Sequence, residues 1–385
     1  MGLIHSQRGG HQPIALIGGA TGKIGDPSGR NTERTAMEFD IVAHNVDSIH
    51  QQITKVFDNH RQLLYEKGGK PKEPLKEPII VNNADWYSNF NFVEFVSQIG
   101  RHFRMGNMLS RASVQSRLKS EQGMSFTEFT YQIFQAYDWL HLLKEFNCRF
   151  QLGGSDQMGN IVSGHELIGR VTKTEVFGLT LPLITNEEGD KFGKSAGNAV
   201  WLNAKKTSEF SFYQFFVRLS DAEAENLVKL LTFLPMNEVS DLIERHRRTP
   251  ELREAQKALA KQLTLLIHGE DGLKKALMIS NALYKGEIQA LGELQPQEIP
   301  QLFAGASYTE LLMEPGTTMM NAALRVKCFP SEYDANRIIS AGGFYVNQKR
   351  TTNPAEVLSP EIHILPNGVS LFRVGKKNYH VVRWL

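Results

Sequence analysis

An α/β protein that continues into an all-helical segment and closes with a small α+β module is the architecture the sequence predicts, on three observations. From 13 to about 201, short apolar runs alternate with stretches of helical periodicity. From 208 to about 301 the pattern is nearly all helical, with Pro235 and Pro250 as breaks and Gly269 and Gly272 at a turn. Around 322–343 two short helical stretches lead into strand-like runs at 345–347, 368–374 and 379–384.

The chain opens on Leu3, Ile4 and Gln7-Arg8-Gly9-Gly10-His11, the pattern of a helix ending at a glycine cap, with Pro13 shortly after. Residues 13–17 are a short apolar run closed by Gly18-Gly19, a buried strand followed by a glycine loop. Between 32 and about 65, Val42, Val46, Ile49, Ile53 and Val56 recur at helical spacing, and 67–78 is a polar linker with three prolines. A strand is expected at 79–81, helices over 91–120, and a long helix over 125–147 capped by Ser125 with Glu128 three residues later. Strand 149–152, helix 160–171 and strand 179–185 follow, and a polar loop at 186–197 precedes Val200-Trp201-Leu202.

The 385 residues include 43 Lys/Arg and 41 Asp/Glu, and no apolar run approaches the length of a membrane span. Cys148 and Cys328 are too few and too isolated for a disulfide framework or a thiolate metal site, so no metal is expected and a reducing compartment is. Charge is uneven. Residues 311–385 hold nine Lys/Arg against five Asp/Glu, which makes nucleic acid a candidate partner of that stretch. The first ten residues show neither an Arg-rich leader nor an apolar h-region.

Several segments carry chemistry. Gly18-Gly19-Ala20-Thr21-Gly22 lets backbone N–H groups approach a phosphate or ribose, although it matches neither the P-loop nor G-x-G-x-x-G and fits a plain loop as well. Asp26-Pro27-Ser28-Gly29 is equally good turn chemistry. Tyr131, Gln135 and Asp138 stand at i, i+4 and i+7, one polar stripe on a helix whose other sides are apolar, so the stripe lines a pocket or forms a satisfied buried cluster. Gln151-Leu152-Gly153-Gly154-Ser155-Asp156-Gln157 ends a strand and opens a helix, where α/β sheets bind ligands and a carboxylate can hold ribose hydroxyls. Lys191 and Lys194, three apart in a glycine-bearing loop, suit a polyphosphate whose charge shifts during reaction, or a solvated basic surface.

Taken in order, these five segments closely resemble the tyrosyl-tRNA synthetase family of the bacterial and mitochondrial type, over essentially the whole chain. The resemblance implies a doubly wound, class I Rossmann-type catalytic domain over 1–206, an α-helical anticodon-binding domain over 207–310 and an S4-like RNA-binding module over 311–385. It implies activation of L-tyrosine by ATP with Mg2+, both as substrates with no bound prosthetic group, and transfer to the terminal ribose of tRNA(Tyr). Asp138 would accept from the substrate phenol, while Asp26, Tyr131 and Gln135 would hold the α-ammonium and Gln151 and Gln157 would complete the amino-acid pocket. Gly154 and Asp156 match ribose-contacting positions, the backbone of Ile184 the adenine contact, and Lys191 and Lys194 the mobile loop that stabilises pyrophosphate. The S4-like assignment rests on 338–347 with Lys349, Arg350, Lys376 and Lys377 as tRNA contacts. A homodimer through the helices near 90–125 is expected from the family. The Lys194-Ser195-Ala196-Gly197-Asn198-Ala199-Val200-Trp201 wording is most similar to the mitochondrial branch, which implies the mitochondrial matrix and no membrane partner.

In the resembled family a strand with a substrate-binding aromatic residue and a His-x-Gly-His motif precede the helix ending in Gln7-Arg8-Gly9-Gly10-His11, and His-x-Gly-His occurs nowhere in this sequence. The expectation is an N-terminally truncated form of a working synthetase, lacking the first and central strand and so unpairing both its neighbours. The alternative is a catalytically impaired form that acts only as an RNA-binding protein. A third reading, an unrelated nucleotidyltransferase, is opposed by the Tyr131, Gln135, Asp138 stripe.

Overall fold

A computed structural model describes residues 1–29, 32–35, 37–66, 73–185, 194–195, 198–284, 288–292, 294, 299, 307–375 and 378–385. It divides into two units, Met1–Arg61 with Gly69–Ser195, and Gln62–Gly68 with Ala196–Leu385.

In the first unit, α1 (Gly2–Arg8) ends at the Gly9-Gly10 cap, and Gly10 has φ 85°. Strand β1 (Ile14–Ile17) leads through the short α2 (Thr21–Ile24) to α3 (Phe39–Asn59). Helix α3 starts later than the apolar spacing suggests, because the residues before it serve the preceding loop: Arg34 packs on Gly25 and its Nε donates to the Asp26 carbonyl at 3.3 Å. Strand β2 (Ile79–Asn82) pairs with β1 in parallel from Ile14↔Ile79 to Ile17↔Asn82. Helices α4 (Ala84–Tyr87), α5 (Phe92–Gln98), α6 (Met105–Leu109) and α7 (Ala112–Leu118) precede the long α8 (Phe126–Phe146).

The Ser125 hydroxyl caps α8 by accepting from the Glu128 amide at 3.2 Å, and Asn147, left-handed at φ 51°, closes it. Strand β3 (Phe150–Gly154), helix α9 (Met158–Val171) and strand β4 (Phe177–Leu181) follow, with β3 and β4 parallel. Strand β4 lies earlier than the expected 179–185 because Pro182, lacking an N–H, stops it. Lys194–Ser195 form the two-residue β5. Among the described residues the strands β1 to β4 form two parallel pairs, β1 bonding only to β2 and β3 only to β4, in keeping with the expectation that the neighbours of a central strand are unpaired. Helices α8 and α9 share a core, in which Ala136, Trp139, Leu140 and Leu143 meet Ile161, Leu167 and Ile168. Gly164 is what lets these helices close: a Cβ there would lie 2.8 Å from the Trp139 ring.

The second unit holds the two-residue β6 (Asn198–Ala199) and helices α10 (Glu209–Val217), α11 (Asp221–Leu231), α12 (Met236–Arg248), α13 (Glu254–Tyr284) and α14 (Gln289–Gly292). Ser220 and Glu223 make a full capping box on α11, and α13 is broken at Gly269, where φ is 80° and ψ −172°. Beyond them, β7 (Ser307–Leu311), α15 (Met319–Arg325), α16 (Glu332–Ser340), β8 (Phe344–Val346), β9 (Lys349–Thr351), α17 (Pro360–His363), β10 (Val369–Val374) and β11 (Asn378–Trp384) build a sheet of order β7-β11-β10-β8-β9. Strand β7 was not among the expected elements; it joins the sheet edge in parallel with β11. The β8–β9 hairpin turns on Asn347 and Gln348, both at positive φ (46° and 69°), the geometry that matches strand twist. Phe210, Ile279 and Leu283 of the helices share a core with Val369, Leu371 and Val381 of the sheet.

One ion pair in the first unit is fully enclosed. Arg117 and Glu128 meet at 2.7 Å with 1% and 2% of their side chains exposed, so removing one partner strands a buried charge. Glu128→Ala is expected to cost ~3–5 kcal/mol in denaturant unfolding of the full chain; a loss below about 1 kcal/mol would show that Arg117 regains water or another partner.

Candidate active site

The polar groups of the site come from β3, from the segments that follow β1, β2 and β3, and from one face of α8, the position where open α/β sheets bind ligands. Its floor is Asp138, which is 3% exposed. The Trp86 indole Nε1 donates to Asp138 Oδ1 at 3.0 Å and the Asn83 Nδ2 to Oδ2 at 3.1 Å. Burial pushes the Asp138 carboxyl up to about 6, against the hydrogen bonds from Asn83 and Trp86 that pull it down. Each carboxylate oxygen accepts from one of these two donors, and a carboxylate offers about four lone-pair sites, so acceptor capacity remains for a ligand O–H.

Asn83 also joins Asp138 to the glycine loop. Its Oδ1 accepts from the Ala20 amide at 2.7 Å and its Nδ2 donates to Thr21 Oγ1 at 2.9 Å. The neighbouring Asn82 Oδ1 accepts from the amides of Gly19 and Ala84, both at 3.1 Å. The amides of Gly19 and Ala20 are therefore committed to asparagine side chains rather than turned towards a phosphate. Glycine is required at 19 for that reason, because a Cβ there would lie 2.3 Å from Asn82 Oδ1.

Asp26 is both a turn residue and a site residue. Its Oδ1 accepts from the Ser28 amide at 2.9 Å, an Asx turn, while Oδ2 accepts from Gln157 Nε2 at 2.8 Å. The Tyr131 phenol is pushed up first by burial and then by the charges of Asp26 and Asp138, with a hydrogen bond to Thr21 opposing, so it stays neutral beside both carboxylates. Gln135 Nε2 donates to Gln151 Oε1 at 3.2 Å. Asp26 is thus joined to Gln157 and Gln135 to Gln151, with Tyr131 near both Asp26 and Asp138.

At the end of β3, Gly154 has no room for a side chain, since a Cβ would stand 2.7 Å from Asp156 Oδ1 and 3.2 Å from Leu183. Asp156 lies in the turn Ser155–Gln157 and Ile184 is half-buried after Pro182. Lys191, Lys376 and Lys377 lie outside the described residues, and Lys194 is located only as part of β5. Lys349 is exposed on β9. Arg350 is committed otherwise than to a ligand alone: its guanidinium donates to the carbonyls of Gly342 at 2.8 Å and Ala341 at 3.0 Å, closing the end of α16.

Asn83, Trp86 and Asn160 belong to the site and were not singled out from sequence; Thr21 was, but only within the glycine loop. The available signal for the first two was position: Asn82-Asn83 directly follows an apolar strand, and Trp86 stands one helical turn beyond Asn82.

Residues 1–285 match the family model described as tRNA synthetases class I (W and Y). The chain belongs to this family. Over its full length it is 61% identical to the mitochondrial tyrosine–tRNA ligase of Drosophila melanogaster, covering 83% of that protein, and 45% identical to that of Homo sapiens, covering 80%. The crystal structure of a C-terminally truncated Aspergillus nidulans mitochondrial tyrosyl-tRNA synthetase matches with a TM-score of 0.64 at 34% identity, over 72% of this chain and 78% of that one.

In this class I synthetase the buried carboxyl has a thermodynamic signature. Asp138 is raised from 3.8 to about 6, so between those values the native state binds more protons than the unfolded one and this group's contribution makes stability fall as pH rises, levelling off above about 6. Urea unfolding at about pH 4.5 and about pH 6.5 is expected to show Asp138→Asn gaining stability relative to the unaltered protein at the higher pH. Equal pH dependence of the two proteins would contradict the buried carboxyl.

Proposed function

We propose that this chain is a tyrosine–tRNA ligase of the mitochondrial matrix. The carboxylate of L-tyrosine attacks the α-phosphorus of ATP, the bond to pyrophosphate breaks, and a ribose hydroxyl of the terminal adenosine of tRNA(Tyr) then takes the tyrosyl group and releases AMP. The observation that carries this reading is Asp138, a buried acceptor with both oxygens oriented by fixed donors. A substrate phenol satisfies it, whereas phenylalanine leaves a desolvated carboxylate with nothing in its place.

In the same reading Asp26, Tyr131 and Gln135 hold the α-ammonium, and Gln151 and Gln157 close the pocket; the hydrogen bonds of Asp26 with Gln157 and of Gln135 with Gln151 support that grouping. ATP enters with Mg2+, its ribose at Gly154 and Asp156 and its adenine against the Ile184 backbone. Lys191 and Lys194 neutralise the departing pyrophosphate, an interaction strongest as charge develops there. The domain reading has a Rossmann-type catalytic part over 1–206, an anticodon-binding part over 207–310 and an S4-like RNA-binding module over 311–385. A homodimer through 90–125 is supported by apolar side chains left in water on that stretch, among them Phe92 at 72% and Val93 at 70% exposure. The alternative of an RNA-binding protein without catalysis is not adopted, because it gives the assembled amino-acid pocket no role.

ATP–pyrophosphate exchange tests the reading. Exchange is expected with tyrosine and not with phenylalanine, and Asp138→Ala is expected to lower kcat/KM for tyrosine roughly 10- to 150-fold, the worth of a hydrogen bond to a charged group. Equal exchange with both amino acids would overturn it. For the RNA module, Lys376→Glu with Lys377→Glu is expected to weaken tRNA binding and flatten its dependence on salt; filter binding that is unchanged across salt concentrations would remove these lysines from the interface.

A further inference from the structure

Asn160 lies in the first turn of α9, 4% exposed, with no role in the reading above. Its Nδ2 is 3.2 Å from Gln157 Oε1, 3.3 Å from Ser28 Oγ and 3.4 Å from Asp26 Oδ1. An amide nitrogen carries two hydrogens and no acceptor, so one serves Gln157 and the other is shared between Ser28 and Asp26. We infer that Asn160 is a positioning residue for recognition of the substrate ammonium, acting through Gln157 and Asp26. This rests on the proposed tyrosine pocket, in which Asp26 receives that ammonium.

Two effects follow from the geometry. First, Gln157 has an oxygen and an NH2 of nearly equal shape, and only one orientation is useful. With Asn160 donating to its oxygen, the NH2 is turned onto Asp26 Oδ2, where it donates at 2.8 Å. In the reversed orientation two oxygens would face each other, and Asp26 would swing away from the pocket. Second, β1 and β3 share no ladder hydrogen bonds among the described residues. The turn Asp26–Ser28 belongs to the loop after β1, and Gln157 and Asn160 to the segment after β3, so this amide ties together the two loops that hold the ammonium site.

The test separates a charge-positioning role from general support of the pocket by using two ligands that share the phenol. Tyrosinol keeps the ammonium and lacks the carboxylate; 3-(4-hydroxyphenyl)propionate keeps the carboxylate and lacks the ammonium. Calorimetric binding of each is measured on the full chain and on Asn160→Leu, which keeps the branched shape without the donor, and Asn160→Ala. The tyrosinol Kd is expected to rise about tenfold in both variants while the propionate Kd stays within about twofold. The propionate also reports whether each variant is folded. Equal weakening of both ligands, or no weakening of either, would overturn the role of Asn160 while leaving the tyrosine pocket standing. An unaltered chain that binds neither ligand would overturn the pocket itself and the inference with it.

Discussion

A carboxylate removed from water must be repaid by donors held in place, and that requirement organises the first unit around Asp138. Its two oxygens are met by Asn83 and Trp86, which come from the end of β2 and from α4, while Asp138 itself comes from α8. Asn83 can serve only if its own carbonyl is satisfied, and the Ala20 amide of the loop after β1 does that. Three segments distant in sequence are therefore joined by one side chain with no surface exposed. Removing any member leaves a buried polar group without its partner, so the group behaves as a unit rather than as separate contacts.

The same logic holds on the other side of the site. The two strand pairs are not joined by a ladder among the described residues, so their loops are brought together by side chains: Gln157 and Asn160 from the β3 side meet Asp26 and Ser28 from the β1 side. Backbone pairing usually fixes the register of neighbouring strands, with site residues placed as a consequence. Here the site residues themselves contribute to that placement, which makes substrate recognition and local structure difficult to alter independently.

Much of this was legible in the sequence, and what was missed has physical causes. Helix α8, its Ser125 cap and the stripe Tyr131, Gln135, Asp138 follow from helical periodicity, a local property that tertiary context had no reason to override. Asn83 and Trp86 were not legible, because their roles depend on a carboxylate more than fifty residues away. The glycine loop was legible as a close approach but not in its partner: the space that a Cβ would fill is taken by Asn82. Arg350 looked like one more charge in a basic stretch, and only the folded chain shows its guanidinium also donating to the carbonyls at the end of α16. Strand β7 lacks an apolar alternation of its own and is held by parallel pairing with the distant β11.

The two carboxylates of the site face different problems, and their surroundings differ accordingly. In the proposed reading a ligand ammonium brings its own positive charge to Asp26, and that carboxylate needs only to be aimed, by the Ser28 amide, Gln157 and Asn160. A phenol brings no charge to Asp138. That carboxyl, already raised to about 6 by burial, keeps its anionic form near neutral pH through the donors that oppose burial, Asn83 and Trp86 among them. Weakening those donors would favour the protonated carboxyl, which presents an O–H towards the ligand where an acceptor is needed. If Asp138 meets the substrate phenol as proposed, selectivity there depends on groups that need not touch the substrate, through the protonation state they impose on Asp138.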